Sequence, residues 1–254
     1  VRLDAVNYNG ATGTLTAGQL FTDGQKITEV LVNPTNLPIT VTYTFSVSAT
    51  GCGNPVQQQT TVTITRSPTV SVPADYTICE PISIPLTGTI GASAVSGLWS
   101  IISGTGTLSA TNVSGTTVTA NYTVGATDIG NTITLRLTTN DPDGPGPCSP
   151  VFDDINIKIN RAARITAGID LAQCRDQASI TLQGAITYAP NGVSWSGGTG
   201  SFGAITSPAS TYSFNNPSEI NTNVTLTLTA NDPDGVGPTG PCGIVTDQIG
   251  RAHV

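Results

Sequence analysis

Ile39-Thr40-Val41-Thr42-Tyr43-Thr44-Phe45-Ser46-Val47 is the most regular stretch of the chain. Apolar residues at every second position give a strand with one face toward a core and the other toward water. Similar runs follow at Ser83–Thr87, Gly97–Ile102, Thr116–Tyr122, Thr132–Thr138 and Ile155–Ile159. They return at Ser179–Gln183, Val193–Ser196, Ser210–Phe214 and Asn223–Thr229, and Thr61–Thr65 closes the first group. Turn residues divide these runs at the spacing of a β-sandwich, and no helical period occurs.

The runs belong to a repeat. Gly10-Ala11-Thr12-Gly13, Gly104-Thr105-Gly106 and Gly198-Thr199-Gly200 are short glycine turns, each followed at a nearly constant distance by a cysteine: Cys52, Cys148 and Cys242. The second and third copies also share an early cysteine (Cys79, Cys174), a tryptophan (Trp99, Trp195) and an Asn-Asp-Pro-Asp-Gly segment (140–144, 231–235). Self-similarity at a period near 94 residues marks tandem domains. The expected architecture is all-β: immunoglobulin-like sandwiches in an elongated array. A truncated unit at 1–66 precedes whole units at 67–160 and 161–254. Joints of three or four residues, Arg66-Ser67-Pro68 and Asn160-Arg161-Ala162-Ala163, are too short to be flexible tethers. Gly250–Val254 lacks the alternation of Ile155–Ile159, which leaves it either a divergent strand or non-native.

Composition narrows the function. Threonine and valine suit a pleated surface, while glycine and proline punctuate turns. The net charge of −7 opposes nucleic acid and anionic lipid, both of which call for basic patches. No run reaches the roughly 18 apolar residues of a membrane span.

Five cysteines point to an oxidising compartment. Matched positions within each unit predict Cys79–Cys148 and Cys174–Cys242 bridges, leaving Cys52 a free thiol. By the same ruler, the partner of Cys52 would fall 13 or 14 residues before Val1. A buried, never-paired thiol is the alternative for Cys52. Trp99 and Trp195, 20 and 21 residues after their early cysteines, are expected in the core on the disulfide. Exposed platforms that stack on sugars are the competing reading.

The remaining motifs carry little chemistry. Gly198-Thr199-Gly200-Ser201-Phe202-Gly203 has the letters of a dinucleotide fingerprint, but a strand follows it where a helix is required, so it reads as a hairpin turn. The only histidine is His253, and no nucleophile elbow, zinc or phosphate-loop motif is present, so no enzyme is expected. Asp141 with Asp143, and Asp232 with Asp234, place paired carboxylates on one tight loop, as Ca²⁺ ligands require. Asp153, Asp154 and Asp247, or Asp128 and Glu219, could complete the coordination. The competing reading is a plain proline–glycine turn.

Ile78-Cys79-Glu80, Trp195-Ser196 followed by Gly197–Gly200, and Thr225–Gly235 closing on Pro241-Cys242-Gly243 together resemble the repeats of giant Bacteroidota surface adhesins, the SprB-type gliding-motility adhesins among them. Val41-Thr42-Tyr43-Thr44 with Gly51-Cys52-Gly53 is similar to the PKD-like repeats of those proteins. The resemblance implies a secreted cell-surface stalk, exported by the type IX system and carried by the gliding machinery. Its implied partners are adjacent repeats, that machinery and polysaccharide surfaces. The alternative function is a carbohydrate-binding module array of a secreted polysaccharide-degrading protein.

Overall fold

The computed structural model describes residues 1–22, 24–47, 55–146, 148–173, 177–219, 222–235 and 240–253. Every regular element among them is a strand apart from one 3-10 turn, Pro217–Glu219. Three separate hydrophobic cores follow one another along the chain.

The first unit is a single sheet. Strands β1 (Arg2–Asn7), β2 (Ile39–Val47) and β3 (Val56–Ile64) lie side by side in the order β1-β2-β3, all antiparallel. Ile39, Val41 and Tyr43 face inward from β2, as the alternation requires, and meet Leu3 and Ala11. The stretch between β1 and β2 covers this face with Leu15, Phe21 and Leu31. Among the described residues it forms two isolated bridges, Arg2 with Leu20 and Thr12 with Val32.

The second unit is a full sandwich. Strands β4 (Thr69–Ser71), β5 (Tyr76–Cys79), β6 (Ser83–Gly91), β7 (Gly97–Ser103) and β8 (Thr107–Leu108) come first. They are followed by β9 (Asn112–Ser114), β10 (Thr117–Thr123), β11 (Thr132–Thr139) and β12 (Phe152–Asn160). One sheet runs β4-β6-β10-β8, with β9 also on β10, and the other runs β5-β12-β11-β7. Ile84, Leu86 and Ile90 of the first sheet face Ile133, Leu135, Leu137, Ile155, Ile157 and Ile159 of the second. Fully burying each such side chain contributes about 1.5–3 kcal/mol.

The third unit repeats this plan in shorter pieces. Its strands are β13 (Arg164–Thr166), β14 (Leu171–Gln173), β15 (Ser179–Thr181), β16 (Ala185–Tyr188) and β17 (Val193–Gly197). Then come β18 (Ser201–Phe202), β19 (Thr211–Ser213), β20 (Leu226–Ala230), β21 (Val245–Ile249) and β22 (Arg251–His253). Ladders β13-β16 and β15-β19-β18 lie opposite β17-β20-β21. β22 pairs in parallel with β14 as the end of β12 does with β5, so Arg251–His253 form a strand despite the broken alternation.

Glycine at the repeated turns has a steric cause. A Cβ on Gly106 would lie 2.0 Å from the Thr123 carbonyl, and one on Gly200 would lie 2.1 Å from that of Ser213. Both tryptophans are core residues: Trp99 is 4% exposed and Trp195 1%. The Trp99 indole N–H donates to the Val118 carbonyl at 3.2 Å, and that of Trp195 to Ser207 at 3.0 Å. Each ring lies over a glycine, Gly88 or Gly184, which leaves room for it. The disulfide expected beneath the rings lies elsewhere.

Candidate functional site, the joint between the second and third units

Cys79 is bonded to Cys242, with a Cα–Cα distance of 5.0 Å and a sequence separation of 163. The bridge crosses the joint between two units. This overturns both expected pairings, Cys79–Cys148 and Cys174–Cys242, for a geometric reason. β5 runs parallel to the end of β12, and Cys79 pairs with Asn160, the last residue of that strand. Cys148 precedes Phe152, the first residue of the same strand. A strand of that length separates the two by about 26 Å at roughly 3.3 Å per residue. A disulfide needs Cα atoms roughly 4.4–6.8 Å apart. Each cysteine therefore sits at one pole of its unit. The bond available to Cys79 is with the loop between β20 and β21 of the next unit, where Cys242 lies. Cys174 and Cys52 lie outside the described residues, and Cys148 is a free, half-buried thiol.

Hydrogen bonds surround the bridge. Asn160 Nδ2 donates to Asp234 Oδ1 at 2.5 Å, and Asp234 Oδ2 accepts the backbone N–H of Cys242 at 2.6 Å. The N–H of Glu80 donates to the Asn160 carbonyl at 2.9 Å, extending β5 past the cysteine. Glu80 then grips the linker: Oε2 accepts from Ala162 N at 3.0 Å, and Oε1 pairs with Arg164 Nη2 at 2.5 Å. Burial opposes ionisation of Glu80, but the bonds from Arg164 and Ala162 outweigh it and hold the carboxyl below its ordinary range. Arg161 stacks over Tyr188, and Ala163 is buried in the third core. A cleft of about 530 Å³ beside the bridge is lined by Cys79, Ile82, Val124, Ala162 and Arg164.

The Asp-Pro-Asp-Gly carboxylates each accept backbone N–H groups of their own loops. Asp141 Oδ1 accepts the N–H groups of Asp143 and Gly144 at 3.2 and 3.0 Å, and Asp232 Oδ1 accepts that of Asp234 at 2.9 Å. Asp143 Oδ2 takes the N–H of Cys148 at 3.2 Å, as Asp234 does for Cys242. The loops thus orient the cysteines. The other acids considered for Ca²⁺ are dispersed. Asp153 and Asp247 accept Val72 N and Ala167 N, and Asp154 forms a two-bond pair with Arg136. Among the described residues, no group of three or more His, Cys, Asp or Glu is arranged to hold a metal.

Asp128 and Glu219 belong to a motif that sequence reading missed. Tyr122 Oη donates to Asp128 Oδ2 at 2.7 Å and accepts the N–H of Gly106 at 2.8 Å, and Asp128 also takes the N–H of Thr105. Tyr212, Glu219, Gly200 and Thr199 repeat the arrangement, and Tyr8 with Glu29 supplies a version in the first unit. Each repeated glycine turn is thereby clamped to a tyrosine–carboxylate pair.

No family model and no curated protein matches the chain. Among solved structures it is similar to a protocadherin gamma C5 EC1-3 fragment, with 12% identity over 85% of this chain and 76% of that one (TM-score 0.37). Mouse clustered PcdhgC3 EC1-3 gives 13% identity over 85% and 77% (TM-score 0.37). The titin I9-I11 tandem gives 8% over 99% and 95% (TM-score 0.32).

Proposed function

We propose that this chain is a load-bearing segment of an adhesive stalk on a bacterial cell surface, serving gliding motility or surface attachment, without catalysis. The observation that carries this reading is the Cys79–Cys242 bond across a joint. When the chain is pulled from its ends, tension crosses from Cys79 to Cys242 through the bridge. The backbone between them, a separation of 163 residues, is bypassed. Most of two sandwiches is then shielded from extension, an advantage in a stalk under traction. A persistent disulfide also suits an extracellular location and a secreted protein. Neighbouring repeats of a longer chain, the gliding and type IX secretion machinery, and polysaccharide surfaces are the partners in this reading.

The carbohydrate-binding alternative needs exposed aromatic platforms, and burial of Trp99 and Trp195 removes its two best candidates.

Small-angle scattering tests the stalk: a maximum dimension well above that of a compact 25.9 kDa sphere is expected, and a compact profile overturns it. Stretching single molecules from both ends tests the load path. Full extension in oxidising buffer should fall about 550 Å short of that in reductant, at roughly 3.4 Å per bypassed residue. Equal extensions overturn the shielding.

A further inference from the structure

Among the described residues, the first joint is built like the second but lacks two parts. Cys148 stands where Cys242 stands, its N–H held by the corresponding aspartate. Its Sγ lies 3.6 Å from the carbonyl of Thr65, the residue equivalent to Asn160. In the second joint that carbonyl accepts the N–H of Glu80, the residue after the bonded cysteine. In the first, no counterpart of β5 lies beside β3 among the described residues. Among the described residues the sheet ends at β3 with no strand on its outer edge, and Val56 and Val62 are exposed along the strand. A bare edge is a template for strand addition.

We propose that the edge of β3 over Val62–Thr65 takes up an extended segment of the Tyr76–Cys79 kind, running parallel to it, and that Cys148 forms a disulfide with the cysteine ending that segment. Three features support that occupant. β5 fills the equivalent edge of β12 in the register Ile157–Tyr76 to Asn160–Cys79. Its cysteine reaches the loop cysteine of the following unit. Among the described residues, the Thr65 carbonyl, where the backbone donor after that cysteine would bind, is met by the Cys148 thiol alone. The pattern wanted is therefore alternating apolar residues, a terminal cysteine, and a following residue with a free N–H. Repeated along an array, such bridges would staple each unit to the next.

Bond formation converts two thiols to a disulfide and releases two protons and two electrons. A small extracellular disulfide such as oxidised glutathione accepts them and leaves as two thiols. Burial, and then the negative charges of Asp143 and Asp141, push the Cys148 thiol above its ordinary value. Random collision partners thus meet little thiolate, and a docked strand gains its advantage through proximity.

The test uses the 254-residue protein, oxidised glutathione and a synthetic peptide with the sequence of residues 71–80. The expected result is a mixed disulfide on the tryptic peptide 137–158, forming at least tenfold faster than with a scrambled peptide of the same composition. Thr63→Pro should abolish that advantage. The Ile64 carbonyl is turned toward Asn33 on the β2 side, so the N–H of Thr63 faces outward to the incoming strand. Cys148→Ser should eliminate the adduct. Equal rates with the scrambled peptide, capture at other cysteines only, or a Cys148-linked dimer formed in preference to the peptide adduct would each overturn the proposal.

Discussion

Asn160 donates a hydrogen bond to Asp234 across the second joint, whereas the equivalent oxygen of Asp143 at the first joint is buried with no partner. Thr65 occupies the place of Asn160 and has no side-chain amide to donate. One substitution therefore accounts for an orphaned carboxylate oxygen, whose burial is costly. Thr65→Asn should stabilise the chain by about 1 kcal/mol, and Asn160→Thr should cost about 1–3 kcal/mol by stranding Asp234. Chemical denaturation of the two variants checks both signs.

The glycines under the tryptophans predict a strong steric effect. A Cβ on Gly88 would lie 2.4 Å from Leu137 Cδ2 and 3.2 Å from the Trp99 ring, and one on Gly184 would lie 2.6 Å from the Pro208 carbonyl and 3.0 Å from Trp195. Gly88→Ala and Gly184→Ala should each destabilise by about 1–3 kcal/mol through overpacking. Thermal melts with tryptophan fluorescence should show the loss together with a shifted indole emission.

The tyrosine–carboxylate clamps predict instability at both ends of the pH scale. Burial, together with hydrogen bonding to Asp128 or Glu219, pushes Tyr122 and Tyr212 up to about 12. The neutral phenols thus contribute stability that is complete below about pH 10 and lost as pH rises toward 12. Burial opposes ionisation of Asp128 and Glu219, but the tyrosine and backbone donors outweigh it and hold both carboxyls below their ordinary values. Their contribution is present above about pH 4 and fades as pH falls through the lowered values. Tyr122→Phe should cost about 1–3 kcal/mol at neutral pH and flatten the alkaline limb. Melting midpoints from pH 2 to 12 measure both.

Calcium provides a further check on the aspartate loops. Because Asp141, Asp143, Asp232 and Asp234 already accept backbone N–H groups, equal melting midpoints in millimolar Ca²⁺ and in chelator are expected. A rise in Ca²⁺ that disappears in an Asp143→Asn, Asp234→Asn double variant would make them ligands, since binding to the folded state stabilises it by mass action.

Long alternating runs such as Ile39–Val47 and Thr132–Thr138 were legible because one buried face imposes a period of two over many residues. Strands of three or four residues, such as Thr69–Ser71 and Tyr76–Cys79, are too short to display it. Missing Tyr76–Cys79 had the larger consequence, since that strand carries Cys79 to the far pole of its unit. Spacing alone could not choose the pairing, because cysteines at matched positions recur at the same intervals whether they bond within a unit or to the next. The available clue was that Cys148 and Cys242 follow proline–glycine turns and so lie in loops at the end of a strand. The clamps were hidden differently: Asp128 lies six residues after Tyr122, Glu219 lies seven after Tyr212, and the acids differ.

The central claim is that Cys79 is bonded across the joint to Cys242. Removing this bridge with a Cys79→Ser, Cys242→Ser double variant should cost up to about 5 kcal/mol on chain-entropy grounds. The bond itself can be read more directly. Trypsin cuts after lysine and arginine, and their positions place the five cysteines on five peptides: residues 27–66, 67–136, 137–158, 165–175 and 176–251. A non-reducing tryptic map by mass spectrometry should find 67–136 joined to 176–251. Finding 67–136 joined to 137–158 instead would return the bridge to a single unit and contradict the account.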